Sequence, residues 1–207
     1  DVSDYNATRK IITQIKPEIV INASAYTAVD NAEKDFTSAN KINHLAVDNI
    51  AKSVAHINSL LIHVSTDYVF DGNETSPYKE DAATNPQGVY GQTKLLGELA
   101  IERSGCKYFI IRTAWIFSEY GHNFLKTMLD LGMERDQLNV VNDQIGCPTY
   151  AQDIARSIIY ILTKERLEDY EYGIYHYSGN IECSWYEFAR YIFLQAKKKN
   201  IKTPKKL

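Results

Sequence analysis

An α/β fold built on a parallel sheet is predicted for this 207-residue chain, and three observations predict it. Ile19-Val20-Ile21, Leu60-Leu61-Ile62-His63-Val64 and Lys107 to Thr113 are short apolar runs of the kind that form strands buried on both faces. Between them lie longer stretches whose apolar residues recur at helical spacing. The two periods alternate along the chain without an internal repeat or a low-complexity block, as βα units require.

Taken in order, a helix is expected from Asp4 to Ile15, supported by Ile11, Ile12 and Ile15, with Pro17 ending it before a strand from Glu18 to Ala23. Ala39, Ile42, Ala46 and Ile50 mark an amphipathic helix over Thr37 to His56. The strand Leu60 to Val64 follows. Asp71-Gly72-Asn73-Glu74 is a turn, and Pro77 to Gln87 keeps the chain irregular until a helix carries Tyr90 onward. After the strand Lys107 to Thr113, helices are expected at Asn123 to Met133 and Gln152 to Lys164, with a short strand at Leu138 to Asn142 between them. Ser184-Trp185-Tyr186-Glu187 has the spacing of a capping box and opens a last helix that runs to Lys197.

Composition narrows the function classes. With 44% hydrophobic residues and a formal net charge of −3, the chain can build a sizeable core and has no basic surplus to draw it to nucleic acid. Its one basic cluster, Lys197 to Lys206, reads as a solvated helix end and tail. No run approaches the ~20 apolar residues that cross a bilayer, so no membrane partner is expected. The first residues lack the pattern of a secretion signal, and a cytoplasmic location is expected. Cys106, Cys147 and Cys183 are widely spaced, with no Cys-x-x-Cys and no nearby histidine pair. They read as reduced thiols, not as a disulfide framework or a zinc site.

The chemistry is concentrated in Ser65 to Gly72 and in Tyr90-Gly91-Gln92-Thr93-Lys94. Residues four apart on a helix share a face, so Tyr90 and Lys94 reach one cavity. A fixed ammonium lowers a phenol's pKa from its usual value of about 10, which would tune Tyr90 as a general acid or base. The strand before Thr66 delivers its hydroxyl to the carboxyl end of the sheet, where open α/β folds bind ligands. The three groups together suit a proton moving onto or off a carbonyl oxygen. Among the other polar residues, Asn43 reads equally as part of an exposed helix face, Trp115 as a core aromatic, and His63 and His122 as structural or surface histidines.

These segments stand in one order with Asn22 to Asp30, Val89 to Glu98, Arg112 to Phe117, Asn123-Phe124 and Asn142 to Thr149. Together they resemble the extended short-chain dehydrogenase/reductases, and within them the branch that reduces a 4-dehydro-6-deoxy sugar carried on dTDP. The resemblance implies a Rossmann-like doubly wound parallel sheet over residues 1–115. Residues 116–207 would form a smaller, mainly substrate-binding α/β region, with 138–165 returning to the core. The implied reaction converts dTDP-4-dehydro-L-rhamnose to dTDP-L-rhamnose with NADPH or NADH. Tyr90 would donate the proton, Lys94 would be its partner and a ribose ligand, and Thr66 would help set the phenol's pKa. Ala25, Tyr26 and Thr27 match a segment that lies along the dinucleotide, and Asp1 and Val2 a contact to its adenine half. Thr66, Asp67, Trp115 and Val29 match positions that touch the dTDP-sugar. Relatives of this type are often dimers, some with a bridging Mg²⁺, so a homodimer and that ion join the expected partners.

One departure stands out. Neither G-x-G-x-x-G nor G-x-x-G-x-x-G occurs in the 207 residues, although the family opens on a strand, a glycine-rich turn and a helix. The chain is therefore expected to be part of a longer product, with the first β-α-β absent and Ile19-Val20-Ile21 or its neighbour left as an unpaired, aggregation-prone edge. Two other functions fit the same segments. One is a different sugar-nucleotide reductase or epimerase of the superfamily. The other is a non-catalytic regulatory subunit resembling that of methionine adenosyltransferase.

Overall fold

The structure is a computed structural model that describes residues 1–163 and 171–207. In chain order its elements are α1 (Tyr5–Ile15), β1 (Ile19–Asn22), the short α2 (Val29–Ala32) and α3 (Phe36–Asn40), α4 (Ala46–His56), β2 (Leu60–Thr66), α5 (Val89–Arg103) and β3 (Lys107–Thr113). These are followed by β4 (Ile116–Phe117), α6 (Phe124–Glu134), β5 (Ile145–Gly146), β6 (Thr149–Tyr150), α7 (Ala151–Thr163), β7 (Gly173–His176), β8 (Cys183–Ser184) and α8 (Trp185–Lys198). They divide into two units, one built on residues 1–112 and 171–176 and the other on 113–163 and 177–207.

The first unit holds a four-stranded sheet in the order β1-β2-β3-β7, with β1 parallel to β2 and β3 parallel to β7. Leu60, Leu61 and Ile62 are all buried, so β2 is covered on both faces, as its unbroken apolar run requires. Ile12 of α1, Val47, Ile50 and Val54 of α4 and Ile101 of α5 pack with Leu61 and Ile110 into one apolar cluster. Asp4 caps α1 by accepting the Ala7 N–H at 3.0 Å. The chain leaves that helix through Lys16 in the left-handed region and turns at Pro17. Among the described residues β1 pairs with β2 alone, and Ile21 is 50% exposed on it.

The amphipathic stretch expected as one helix over 37–56 is interrupted. Between α3 and α4 the residues Lys41–Leu45 form a turn of π-helix, which rotates Asn43 into full burial. Helix α5 crosses this turn closely, and a Cβ on Gly97 would stand 2.2 Å from the Asn43 carbonyl oxygen. Only glycine permits that approach.

The second unit carries two small two-stranded pairings, β4 parallel to β6 and β5 antiparallel to β8. Helices α6 and α8 meet over Met128, Leu138, Phe188, Ile192 and Phe193. The capping box at Ser184 is formed in both directions with Glu187. Residues 138–142 form no strand, because the neighbouring backbone pairs with the C-terminal segment through a single bridge, Gln137 to Lys206. Helix α7 is described to Thr163, and its expected end at Lys164 lies outside the described residues. The segment that enters the first unit's sheet from the second half is β7, whereas the described part of 138–165 groups with the second unit.

Candidate active site

The period of a strand puts Leu61, His63 and Ser65 on one face of β2, the face turned to α5. Leu61 joins the apolar cluster, but the other two meet charged groups. His63 Nε2 lies 3.2 Å from Lys94 Nζ, and the Ser65 hydroxyl donates to the Glu98 carboxylate. Arg112, projecting from β3, donates from Nη2 to Glu98 Oε2 at 2.7 Å and from Nε to both oxygens at 3.2 Å. Tyr90, Lys94 and Glu98 thus form a row at four-residue spacing along α5, with two of its three members tied into the sheet.

At the carboxyl end of β2, Thr66 Oγ1 accepts the Tyr68 N–H and donates to Asp67 Oδ1, both at 3.2 Å. The Tyr68 ring packs edge-on against Tyr90 with centroids 5.4 Å apart. Burial pushes the Tyr90 phenol up to about 12; hydrogen bonding from Thr66 opposes this, and Asp67 and Tyr68 add to it. The expectation that Lys94 lowers the phenol is therefore corrected. Lys94 donates to the Val64 carbonyl at 2.8 Å and meets His63, and burial drives its own pKa down to about 8 against the pull of Glu98. In this form Tyr90 is a protonated acid.

Asp67 is also displaced, raised to about 6 mainly by burial. The folded form keeps its proton up to that value, whereas the ordinary aspartate value is 3.8. Between the two the native state binds more protons, so stability falls as pH rises through this window. Asp67→Asn is expected to remove that slope and to stabilise the protein near neutrality. Urea midpoints at about pH 4 and about pH 7 check it, and an unchanged slope would place its source elsewhere.

Asn43 holds the segment that follows β1. It accepts the Tyr26 N–H at 2.8 Å and donates to the Tyr26 carbonyl and to Thr93 Oγ1, each at 3.1 Å. Its place is buried, not on an exposed helix face, because the π turn rolls it inward. Ala25 and Tyr26 are half-buried beyond the strand end, Thr27 is exposed, and Val29 is half-buried at the start of α2. Asp1 is exposed and accepts the Ser3 N–H at 2.9 Å, while Val2 packs on the apolar cluster.

In the second unit Trp115 sits in the left-handed region at φ 49° and stacks on Trp185 with centroids 3.5 Å apart. A Cβ on Gly146 would be 2.5 Å from the same indole, and the Trp115 carbonyl accepts the Thr149 N–H at 3.1 Å. Such a backbone on a bulky residue is costly and is held by its surroundings. Asp143 and Gln144 are exposed. The three cysteines are free, and burial raises each thiol. Among the described residues no group of three or more His, Cys, Asp or Glu side chains could hold a metal ion, and no helix is long and apolar enough to cross a membrane.

The first unit therefore brings Thr66, Asp67 and Tyr90 together, while the contacts of Lys94 are with His63 and the Val64 carbonyl. Reading the sequence alone missed Asn22, Glu98 and Arg112, and it left His63 as a bland histidine although it is fully buried against the lysine. The available signal was a histidine between Leu61 and Ser65 in an apolar strand, and a glutamate one turn after Lys94.

A family model described as RmlD substrate binding domain matches residues 1–206. A dTDP-4-dehydrorhamnose reductase of Aggregatibacter actinomycetemcomitans is 46% identical over 197 residues, which is 95% of this chain and 67% of that protein. The crystal structure of a dTDP-4-dehydrorhamnose reductase from Bacillus anthracis, in complex with NADP, superposes with a TM-score of 0.91 at 38% identity, covering 100% of this chain and 70% of that one. An orthologue from Clostridium acetobutylicum gives 0.90 at 39% identity, over 100% and 70%. The chain thus spans about two thirds of the length of its curated relatives.

Proposed function

The chain belongs to the RmlD substrate binding domain family, and on that premise we propose that it serves the reduction of dTDP-4-dehydro-L-rhamnose to dTDP-L-rhamnose with NAD(P)H. The observation that carries this reading is the Tyr90 phenol hydrogen-bonded to the Thr66 hydroxyl and sharing one helix face with the buried Lys94. The donor set fits the reactive end of a nicotinamide cofactor. Half-buried Ala25 and Tyr26 and exposed Thr27, with Tyr26 pinned by Asn43, follow the carboxyl end of β1, where open α/β sheets take their ligands.

When bound, the cofactor supplies a hydride to the C4 carbonyl carbon. Tyr90 gives its proton to the oxygen that becomes an alkoxide, and Thr66 donates a second hydrogen bond to the same atom. Lys94 binds ribose and returns a proton to the phenolate. Asp67 and Val29 would face the sugar nucleotide, and Asp1 and Val2 the adenine half of the cofactor; Trp115 is a sugar-nucleotide contact by its match to the family alone. A cytoplasmic homodimer, with Mg²⁺ only as a bridge between copies, extends the same reading. Incubation with NADPH or NADH and the 4-dehydro sugar nucleotide is expected to oxidise one nicotinamide per sugar reduced. Sugar conversion without net oxidation would move the assignment to an epimerase, and no conversion at all would remove it.

A further inference from the structure

The polar groups behind Lys94 form a chain whose directions can be assigned. A backbone N–H only donates, and that of Ser24 lies 3.1 Å from Asn22 Oδ1, with the Ser24 hydroxyl 2.6 Å from the same oxygen. The Asn22 amide is thereby held with its Nδ2–H towards His63 Nδ1, 3.0 Å away. A neutral imidazole accepts at one nitrogen and donates at the other, so His63 carries its proton on Nε2. That N–H faces Lys94 Nζ at 3.2 Å. An ammonium has no lone pair to receive it, whereas an amine has one and can still donate to the Val64 carbonyl at 2.8 Å. Asn22, His63 and Lys94 are 4%, 0% and 1% exposed, so water does not substitute for these bonds.

We infer that His63 is a positioning residue for Lys94: its tautomer, set by Asn22, offers a hydrogen bond that only the unprotonated lysine completes. The inference rests on the role given to Lys94 in the proposed reduction. There the Tyr90 O–H bond breaks as the alkoxide O–H forms, and a Lys94 N–H bond then breaks as the phenolate regains its proton. The lone pair left on Nζ accepts from His63 Nε2–H until a proton taken up from bulk solvent restores the ammonium. His63 so stabilises the lysine in the state it reaches after giving up its proton, and makes it a stronger acid.

The surroundings agree in sign. On α5, Glu98 favours the ammonium, but Arg112 from β3 already pairs with that carboxylate. Tyr90 lies one turn away on the same helix. The groups from β1 and the π turn, Asn22 and Asn43, are uncharged, and burial followed by Lys94 itself keeps His63 well below its usual value, hence neutral.

Nitrogen NMR of the unsubstituted protein is expected to find the His63 ring protonated on Nε2 alone near neutral pH. A proton on Nδ1, or on both nitrogens, overturns the proposal without any variant. Asn22→Asp is close in shape and offers His63 an acceptor in place of a donor, so the ring proton should move to Nδ1 and Nε2 should accept from the ammonium. Lys94, followed by carbon NMR of labelled lysine, is then expected to titrate higher by about one pH unit or more, the scale of one ordinary hydrogen bond. An unshifted Lys94 overturns the inference. A shift with the proton still on Nε2 does so too, because the new carboxylate would then be acting through its charge alone. A purely structural Asn22–His63 pair would change stability and leave the lysine's titration in place. Neither readout uses turnover, so the expected tautomer and shift in a protein that fails to reduce the sugar would refute the functional reading and leave this one standing.

Discussion

Tyr90→Phe is expected to lower turnover by about 10²- to 10⁴-fold or more, the range that a positioned general acid supplies. The substitution keeps the ring that packs edge-on against Tyr68, so the helix and the pocket wall should stay in place. What it removes is the phenolic proton beside the Thr66 hydroxyl, the one the proposed reduction delivers to the substrate oxygen. Binding of the sugar nucleotide, measured by calorimetry, should change little, which separates loss of the acid from loss of the site. Near-normal reduction by the variant would defeat the assignment of the proton donor.

The second large effect concerns stability. Glu98→Ala should destabilise the fold by about 3–5 kcal/mol, because it strands a guanidinium that is nowhere near water. Arg112 would keep the Glu80 carbonyl at 3.3 Å, the charge of the same residue's carboxylate and the face of Phe70 at 5.1 Å, none of them a carboxylate hydrogen bond, and the Ser65 hydroxyl would lose its acceptor. Replacing Glu98 and Arg112 together by methionine is expected to recover much of the loss, since a well-packed apolar pair often matches a buried ion pair. Urea unfolding measures both. A cost for Glu98→Ala below about 1 kcal/mol, the level of an exposed pair, would contradict the burial on which this rests. The single variant should also lower the Lys94 pKa further, because the one charge that favours the ammonium is gone.

Much of the architecture is legible from local pattern. The run Lys107 to Thr113 is a strand over its whole length, and Leu60 to Val64 extends only two residues further, to Thr66. Both carry apolar runs long enough for a strand buried on two faces, which is why the runs themselves mark the strands. Ser184 and Glu187 announce the start of α8 because a capping box is a local hydrogen-bond motif. Leu138 to Asn142 carries a strand-like composition, yet a strand needs a partner, and its nearest neighbour here is a C-terminal segment that composition does not reveal. The π turn is invisible to helical periodicity for a similar reason: Gly97, 54 residues after Asn43 (97 − 43), makes room for it. Within the site, the spacing of Tyr90 and Lys94 is a helix property and can be read directly. The direction of each pKa cannot, because it depends on how deeply three elements bury the two groups and on where Lys94 finds its acceptors. His63 shows the limit most clearly, since nothing local distinguishes a histidine that fills a core from one whose ring nitrogens join two strands to a helix.

Strand β7 carries a consequence for synthesis. Its first residue aligns with Phe109 across a separation of 64 positions (173 − 109), with α6 and α7 made in between. Pairing across so long an interval is entropically late. On the ribosome β1, β2 and β3 emerge well before their last neighbour, and for that interval one flank of β3 offers open backbone groups to any extended polypeptide nearby. A chaperone that shields nascent strands should act in this window, and slowing elongation through the codons for residues 113–172 should lower soluble yield.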